Sequence, residues 1–151
     1  MGIAIALHTL AAVIWTGGMF FAYMAMRPAV VEVVEPAQRG RLWCQTLNRF
    51  FLWAWLSIVL LLATGYWMVF SVFGGMAGVG WHVHLMQGLG ILMMLIFLHV
   101  YFAPFRRLKQ AVAAGDPETA GRHVGMIRKL VALNLVLGLI VVAVGSGGRF
   151  V

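Results

Sequence analysis

The stretch FFLWAWLSIVLLLATGYWMVFSVFGGMAGVGWHVHLMQGLGILMMLIFLHVYFAPF, residues 50–105, contains no Asp, Glu, Lys or Arg. A helix that crosses the ~30 Å hydrocarbon core of a bilayer needs about 20 apolar residues, so this stretch has room for two such helices. The segment SVFGGMAGVG, residues 71–80, divides it, because glycine destabilises a helix and favours a turn. The stretch therefore predicts two membrane helices joined by a short loop.

Two more uncharged segments, residues 1–26 and 130–148, each have room for one further span. The 151-residue chain is 63% hydrophobic and only 10% charged, which is too little charge to cover the surface of a soluble domain. Backbone groups in lipid must satisfy their own hydrogen bonds, so the spans are expected to be helices. The sequence predicts one all-α domain, residues 1–151, an integral membrane four-helix up-down bundle with spans at about 3–26, 49–71, 83–105 and 127–146.

The basic residues decide the expected orientation. Ten of the 11 Lys and Arg lie in or beside the loops that follow the first and third predicted helices, and only Arg149 lies on the other side. This bias predicts that both basic loops are cytoplasmic and both termini periplasmic, in a multi-pass protein of the bacterial inner membrane. It explains the net charge of +7 without nucleic-acid binding, and it favours contact with the anionic headgroups of the bilayer.

Turn and cap signals refine the limits of the helices. Pro36 and Pro117 suit first helical positions, Asp116 suits an N-cap, and Gly115 suits a helix stop. Small residues predict where helices touch, leave room for a flat cofactor and allow a homodimer. These small residues are Gly17, Gly18, Ala63, Gly65, Gly88, Gly90 and Gly138.

Histidines are the candidate ligands, because ionisable groups inside a span are costly and often functional. In an up-down bundle His8 and His84 lie at similar depth near the outer ends of the first and third helices. Two facing imidazoles in a bundle suit a six-coordinate b haem. Gly88, one turn from His84, would leave space for the porphyrin, and Trp15 would line its face. Hydrogen bonding at the headgroup level is the alternative role for these histidines.

The inner end of the bundle offers a second pair of candidate haem ligands. His99 follows His84 by 15 residues, which places it about 60° around the helix and about 22 Å further along. His123 precedes the fourth helix on the same inner side, so the two form an expected inner pair. The cofactor expected from the residues is therefore haem b, one or two per chain.

His82 and Met86 suggest a different metal. They are spaced i and i+4 and share a helix face, whereas His82 is about 160° from His84. An imidazole with a thioether suits Cu(I), and the chain has ten methionines. Packing of methionine in apolar surroundings is the alternative explanation. The sequence leaves open whether His82 or His84 is a ligand.

Other chemistry is scarce in this sequence. The single cysteine, Cys44, excludes an internal disulfide and any Cys-based zinc site. The four carboxylates all lie in loops, which argues against a proton-relay antiporter. No Ser–His–Asp set, phosphate loop or CxxC motif is present.

Three stretches carry a resemblance to a known family: LHTLAAVIWTGGMFFAYMAMRPAV (7–30), RFFLWAWLSIVLLLATGYWMV (49–69) and LVALNLVLGLIVVAV (130–144). They resemble the CopD-like membrane proteins, a group associated by name with copper resistance. The chain is also distantly similar to the HemJ-type protoporphyrinogen oxidases, which bind b haem. LH at 7–8, WHVH at 81–84 and LH at 98–99 match their histidine motifs, but His84 replaces the lysine that those enzymes carry.

Three functions follow as hypotheses. The first is a haem b protein that transfers electrons, or a haem-dependent oxidoreductase, with quinol or another electron donor or acceptor as its partner. The second is copper binding, transport or resistance, as the CopD-like resemblance implies. The third is protoporphyrinogen oxidation, as the HemJ-type resemblance implies, although the missing lysine argues against it.

Overall fold

The computed structural model describes residues 1–150, and these form helices joined by short turns. The elements are α1 (Gly2–Phe21), a π-helical turn (Ala22–Met26), α2 (Arg27–Val33), α3 (Pro36–Ser71), α4 (Trp81–Phe102), α5 (Pro104–Ala113) and α6 (Pro117–Gly147), with 3₁₀ turns at Met76–Gly78 and Gly148–Phe150. Together they make four spans that are long and apolar enough to cross a membrane: Gly2–Val33, Pro36–Ser71, Trp81–Ala113 and Pro117–Gly147. The prediction of an all-α protein with four membrane helices is confirmed.

Local sequence signals set the limits of the helices. Pro36 and Pro117 occupy the first positions of α3 and α6, as expected. The Asp116 carboxylate caps α6 by accepting a hydrogen bond of 3.1 Å from the backbone N–H of Thr119. Gly115 has a φ of +67°, a conformation that a side chain would disfavour, so the chain turns there between α5 and α6.

The third span is interrupted once, although the sequence predicted an uninterrupted helix there. Pro104 has no N–H to donate, so the helix breaks at Ala103 and restarts as α5. α5 is amphipathic: Phe105 and Leu108 are buried, whereas Arg106 and Arg107 are exposed. The extension therefore packs back on the bundle and keeps its charges outside.

The centre of the bundle is filled by aromatic rings around Phe97 of α4. Phe51 and Trp55 of α3 each lie 5.3 Å from Phe97 between ring centroids, and both contacts are edge-on. Trp15 of α1 lies 6.1 Å from the same ring, and Phe105 lies 4.8 Å from Phe51. Such contacts join three spans in one apolar core. Trp15 is only 2% exposed, so its ring serves packing in this structure.

The helix contacts predicted at glycines are found at some of these positions and not at others. A Cβ added at Gly18, Gly65 or Gly138 would lie within 3.4 Å of a neighbouring helix, so helix packing at these positions is confirmed. No atom lies within 4 Å of a Cβ added at Gly17, Gly88 or Gly90, and for these three the predicted contact is wrong. The space beside the exposed Gly88 lies outside the bundle rather than between helices.

Candidate metal centre

The histidine end of the bundle is where α1 and α4 begin and where α3 and α6 finish. It carries His8 near the start of α1, and His82, His84 and Met86 in the first two turns of α4. The structure divides these side chains between two neighbours. His8 contacts α3, whereas His82 and Met86 contact α6.

His8 is held by α3 through a short chain of hydrogen bonds. Its Nδ1 lies 2.9 Å from the Thr64 hydroxyl oxygen, and that hydroxyl lies 2.5 Å from the Leu60 carbonyl. The ring also fits against Gly65, because a Cβ added there would lie 3.3 Å from His8 Cε1. Thr64 itself is buried. The imidazole is therefore fixed in orientation by a residue of another span.

These bonds assign the tautomer of His8. A hydroxyl has one proton, and Thr64 donates it to the Leu60 carbonyl, which can only accept. Thr64 must then accept from His8, so Nδ1 of His8 carries the proton and Nε2 keeps its lone pair. Metal-binding histidines are commonly arranged in this way, with one ring nitrogen donating to the protein and the other left for the metal.

His82 and Met86 face the end of α6, as their spacing predicts. A Cβ added at Gly148 would lie 2.8 Å from His82 Cβ, and a Cβ added at Gly145 would lie 3.2 Å from Met86 Sδ. The two glycines thus let the start of α4 pack closely against the end of the fourth span, in a seam where Met86 and the Cβ of His82 meet that span, while the His82 ring lies over Gly80. Their shared helix face follows from the i, i+4 spacing, and their role as copper ligands stays a prediction.

The helix ends set the electrostatics of this seam. α6 finishes at Gly147 beside His82, and the partial negative charge at the C-terminus of a helix favours a nearby cation. The N-terminus of α4, which begins at Trp81, opposes it. The two helix ends therefore act in opposite directions on a cation at this seam.

The remaining histidines stand apart from this seam. His84 is exposed on α4, because the helix turns Met86, Met93 and Phe97 toward its neighbours and thereby turns His84 outward. Within residues 1–150 no hydrogen bond or ring contact joins His8 to His84, and their pairing as haem ligands stays a prediction.

The predicted inner pair is likewise not drawn together by a hydrogen bond in the described part of the chain. His99 is exposed near the end of α4. His123 is half-buried on α6, and its Nδ1 is buried without a hydrogen-bond partner. Their role as haem ligands also stays a prediction.

Three residues that position the donors were missed from sequence. Thr64 stands in the apolar run IVLLLATG, residues 58–65, about as far from the end of α3 as His8 is from the start of α1, and that match in depth was the available signal. Gly145 lies in the last turn of α6, and Gly148 begins the 3₁₀ turn that follows it. The role of these glycines in helix packing depends on which helix lies opposite them, and the sequence pattern does not show which helix that is.

Comparison with known proteins supplies the family. Within the described residues no three His, Cys, Asp or Glu side chains group as a metal site. No curated protein and no solved structure shows significant similarity to the chain. A family model described as copper resistance protein D matches residues 44–147, a segment that includes His82 and Met86. The match covers more than half of the 151 residues, and the chain therefore belongs to the copper resistance protein D family.

Proposed function

We propose that this inner-membrane protein handles copper, with the cuprous ion as its cargo at the histidine end. The observation that carries the proposal is the common placement of His82 and Met86 against Gly148 and Gly145. The family's association with copper resistance supports the choice of metal. Thioether sulfur is a soft ligand that selects Cu(I), and imidazole binds copper well.

The spacing of the two donors suits a shared ion. Residues at i and i+4 of a helix have Cβ atoms about 5–6 Å apart, so both side chains can reach one ion between them. The glycines opposite carry no side chain of their own, so Met86 packs directly over Gly145 and the Cβ of His82 packs over Gly148. Neither donor is charged, and the Asp and Glu residues of the chain all lie toward the opposite end of the bundle: Glu32, Glu35, Asp116 and Glu118. A cation held by two neutral donors is released readily, as transport requires.

A Cu(I) competition titration tests the proposal. Anaerobic protein in detergent competes with a chromophoric Cu(I) chelator, and we expect a single Cu(I) per chain. The double variant His82→Ala/Met86→Ala loses this binding. The matched control is His99→Ala/Met126→Ala, which also removes one imidazole and one thioether, both exposed and far along α4 and α6 from the seam. Absence of binding in the wild type, or equal loss in the control, contradicts the proposal.

Haem b binding with an electron-transfer role is the second candidate, and the tautomer of His8 favours it. An Nε2 with a free lone pair on a fixed ring is what an axial ligand needs. Bound haem b would supply one-electron redox chemistry, with His8 as an axial ligand, whereas the exposed, outward-facing His84 does not fit the second position. Thr64→Val would then weaken haem retention by about tenfold to a hundredfold, since it removes the partner of Nδ1.

The visible absorption spectrum separates the two candidates. Protein produced with haem available is compared in the oxidised and the dithionite-reduced state. A sharp Soret band with split reduced bands, lost in His8→Ala, supports haem. A spectrum without a Soret band refutes haem binding and leaves copper handling as the candidate that the Cu(I) titration tests.

A further inference from the structure

A cavity of about 390 Å³ lies at the opposite end of the bundle, where the basic loops meet the spans. We call it the basic-end pocket. Its walls are the π-helical turn (Ala22–Met26), α2, the start of α3 and the start of α6. The π-helical turn contributes Ala22 and Tyr23 to the lining, and its extra residue bulges the first span. Turns of this kind recur at functional sites.

The rim of the pocket carries an excess of positive charge. Arg27, Arg39 and Arg128 line it, against one acidic side chain, Glu118. Glu118 is already paired with Arg122 at 3.9 Å. Arg27 lies 5.2 Å above the ring of Tyr23, which leaves its guanidinium free to bind an anion.

Arg39 organises the rim. Its guanidinium donates hydrogen bonds of 2.9 Å to the Val34 carbonyl and 2.6 Å to the Val31 carbonyl, and so binds the end of α2 to the start of α3. Because both acceptors are backbone carbonyls, these hydrogen bonds fix the geometry of the rim without a bound anion. Arg27 and Arg128 therefore remain as the two guanidinium groups that can be removed without opening this junction.

The inside of the pocket is apolar. Val30, Leu47 and Ile127 are buried residues of its wall, and Trp43 and Val131 complete it. The lining contains no His, Cys or Met, so it offers nothing to a copper ion. A soluble anion would leave the apolar wall unused. The chemistry fits a molecule with an anionic head and a hydrocarbon tail.

We propose that the basic-end pocket binds an anionic phospholipid, with the phosphate between Arg27 and Arg128 and an acyl chain against Leu47 and Val131. The position suits this ligand, because the charged loops give way to the apolar spans at this level of the chain. Basic pockets between membrane helices on the cytoplasmic side are a recognised kind of site for such headgroups. Planar guanidinium groups also match phosphate oxygens in geometry.

Native mass spectrometry of the delipidated full chain tests the proposal. The protein is titrated with phosphatidylglycerol or phosphatidylcholine, and we expect it to prefer phosphatidylglycerol. Arg27→Gln/Arg128→Gln weakens phosphatidylglycerol binding about thirtyfold, since each arginine near an anionic headgroup is worth roughly a factor of five. Arg106→Gln/Arg107→Gln removes equal charge from exposed positions on α5 outside the pocket, and should leave binding nearly unchanged.

A second variant tests the apolar part without altering charge. Gly125 lines the pocket, and no atom lies within 4 Å of a Cβ added there, so Gly125→Leu fills the cavity and excludes the acyl chain. We expect it to lose phosphatidylglycerol while its thermal unfolding stays close to that of the wild type. Equal binding of the two lipids, equal loss in the α5 control, or competition by inorganic phosphate as strong as that by lipid overturns the proposal. Failure of copper binding would not affect it, because the two sites share no residue.

Discussion

Gly18→Ala should destabilise the contact between the first two spans. A Cβ at Gly18 would lie 2.7 Å from Phe50 Cζ and closer still to Cε2, so the ring must move. Phe50 also lies 6.2 Å from the ring of Phe51, which limits that movement. Overpacking of this kind costs about 1–3 kcal/mol, and alanine recovers up to about 1 kcal/mol through helix propensity. We expect the free energy of unfolding to fall by about 1–2 kcal/mol.

The adjacent glycine is the matched control. No atom lies within 4 Å of a Cβ added at Gly17, so Gly17→Ala should be neutral or stabilise by up to about 1 kcal/mol. Reversible unfolding in mixed detergent micelles measures both variants. The double variant Gly18→Ala/Phe50→Leu should cost less than the sum of its two single changes, because the clash is gone. Equal stability of Gly17→Ala and Gly18→Ala would refute this account of the contact.

Two further predictions concern the ends of α6. Gly145→Ala should weaken Cu(I) binding severalfold, because the added Cβ would lie 2.8 Å from Met86 Cε and would displace that side chain. Gly147→Ala is the control: no atom lies within 4 Å of its added Cβ, so this variant should bind Cu(I) normally in the same titration. Hydrogen bonds from the Thr119 hydroxyl and backbone hold the pKa of the Asp116 carboxyl below its usual range, so its cap is formed at neutral pH and is lost as the pH falls through that lowered pKa. Thr119→Ala should raise this pKa toward its ordinary value, which carbon-13 NMR can follow because Asp116 is the only aspartate; an unchanged titration would contradict the assignment.

Hydropathy and capping residues were enough to predict the spans. The uncharged runs predicted the number of spans, and Pro36, Gly115 and Asp116 predicted helix ends that the structure confirms. The spacing of His82 and Met86 also predicted their shared face, because helical periodicity does not depend on the neighbouring helix.

The sequence did not determine how each helix is rotated about its own axis. α4 is apolar on every side, so the pattern does not say which face packs inward, and His84 and Gly88 turned out to be exposed. The direction of Trp15 could not be predicted either, because the packing of its ring against Phe97 of another helix decides it. The partner of His8 required knowing that Thr64 lies beside it, which only the packing of α1 on α3 reveals.

X-ray absorption spectroscopy at the copper edge tests the central proposal most directly, because it identifies the atoms bound to the metal. For the protein loaded with one Cu(I), we expect both sulfur and imidazole nitrogen in the first coordination sphere. The sulfur contribution should disappear in Met86→Leu, and the imidazole contribution should disappear in His82→Ala. A wild-type spectrum without sulfur, or one that Met86→Leu leaves unchanged, would contradict a copper site between α4 and the end of α6.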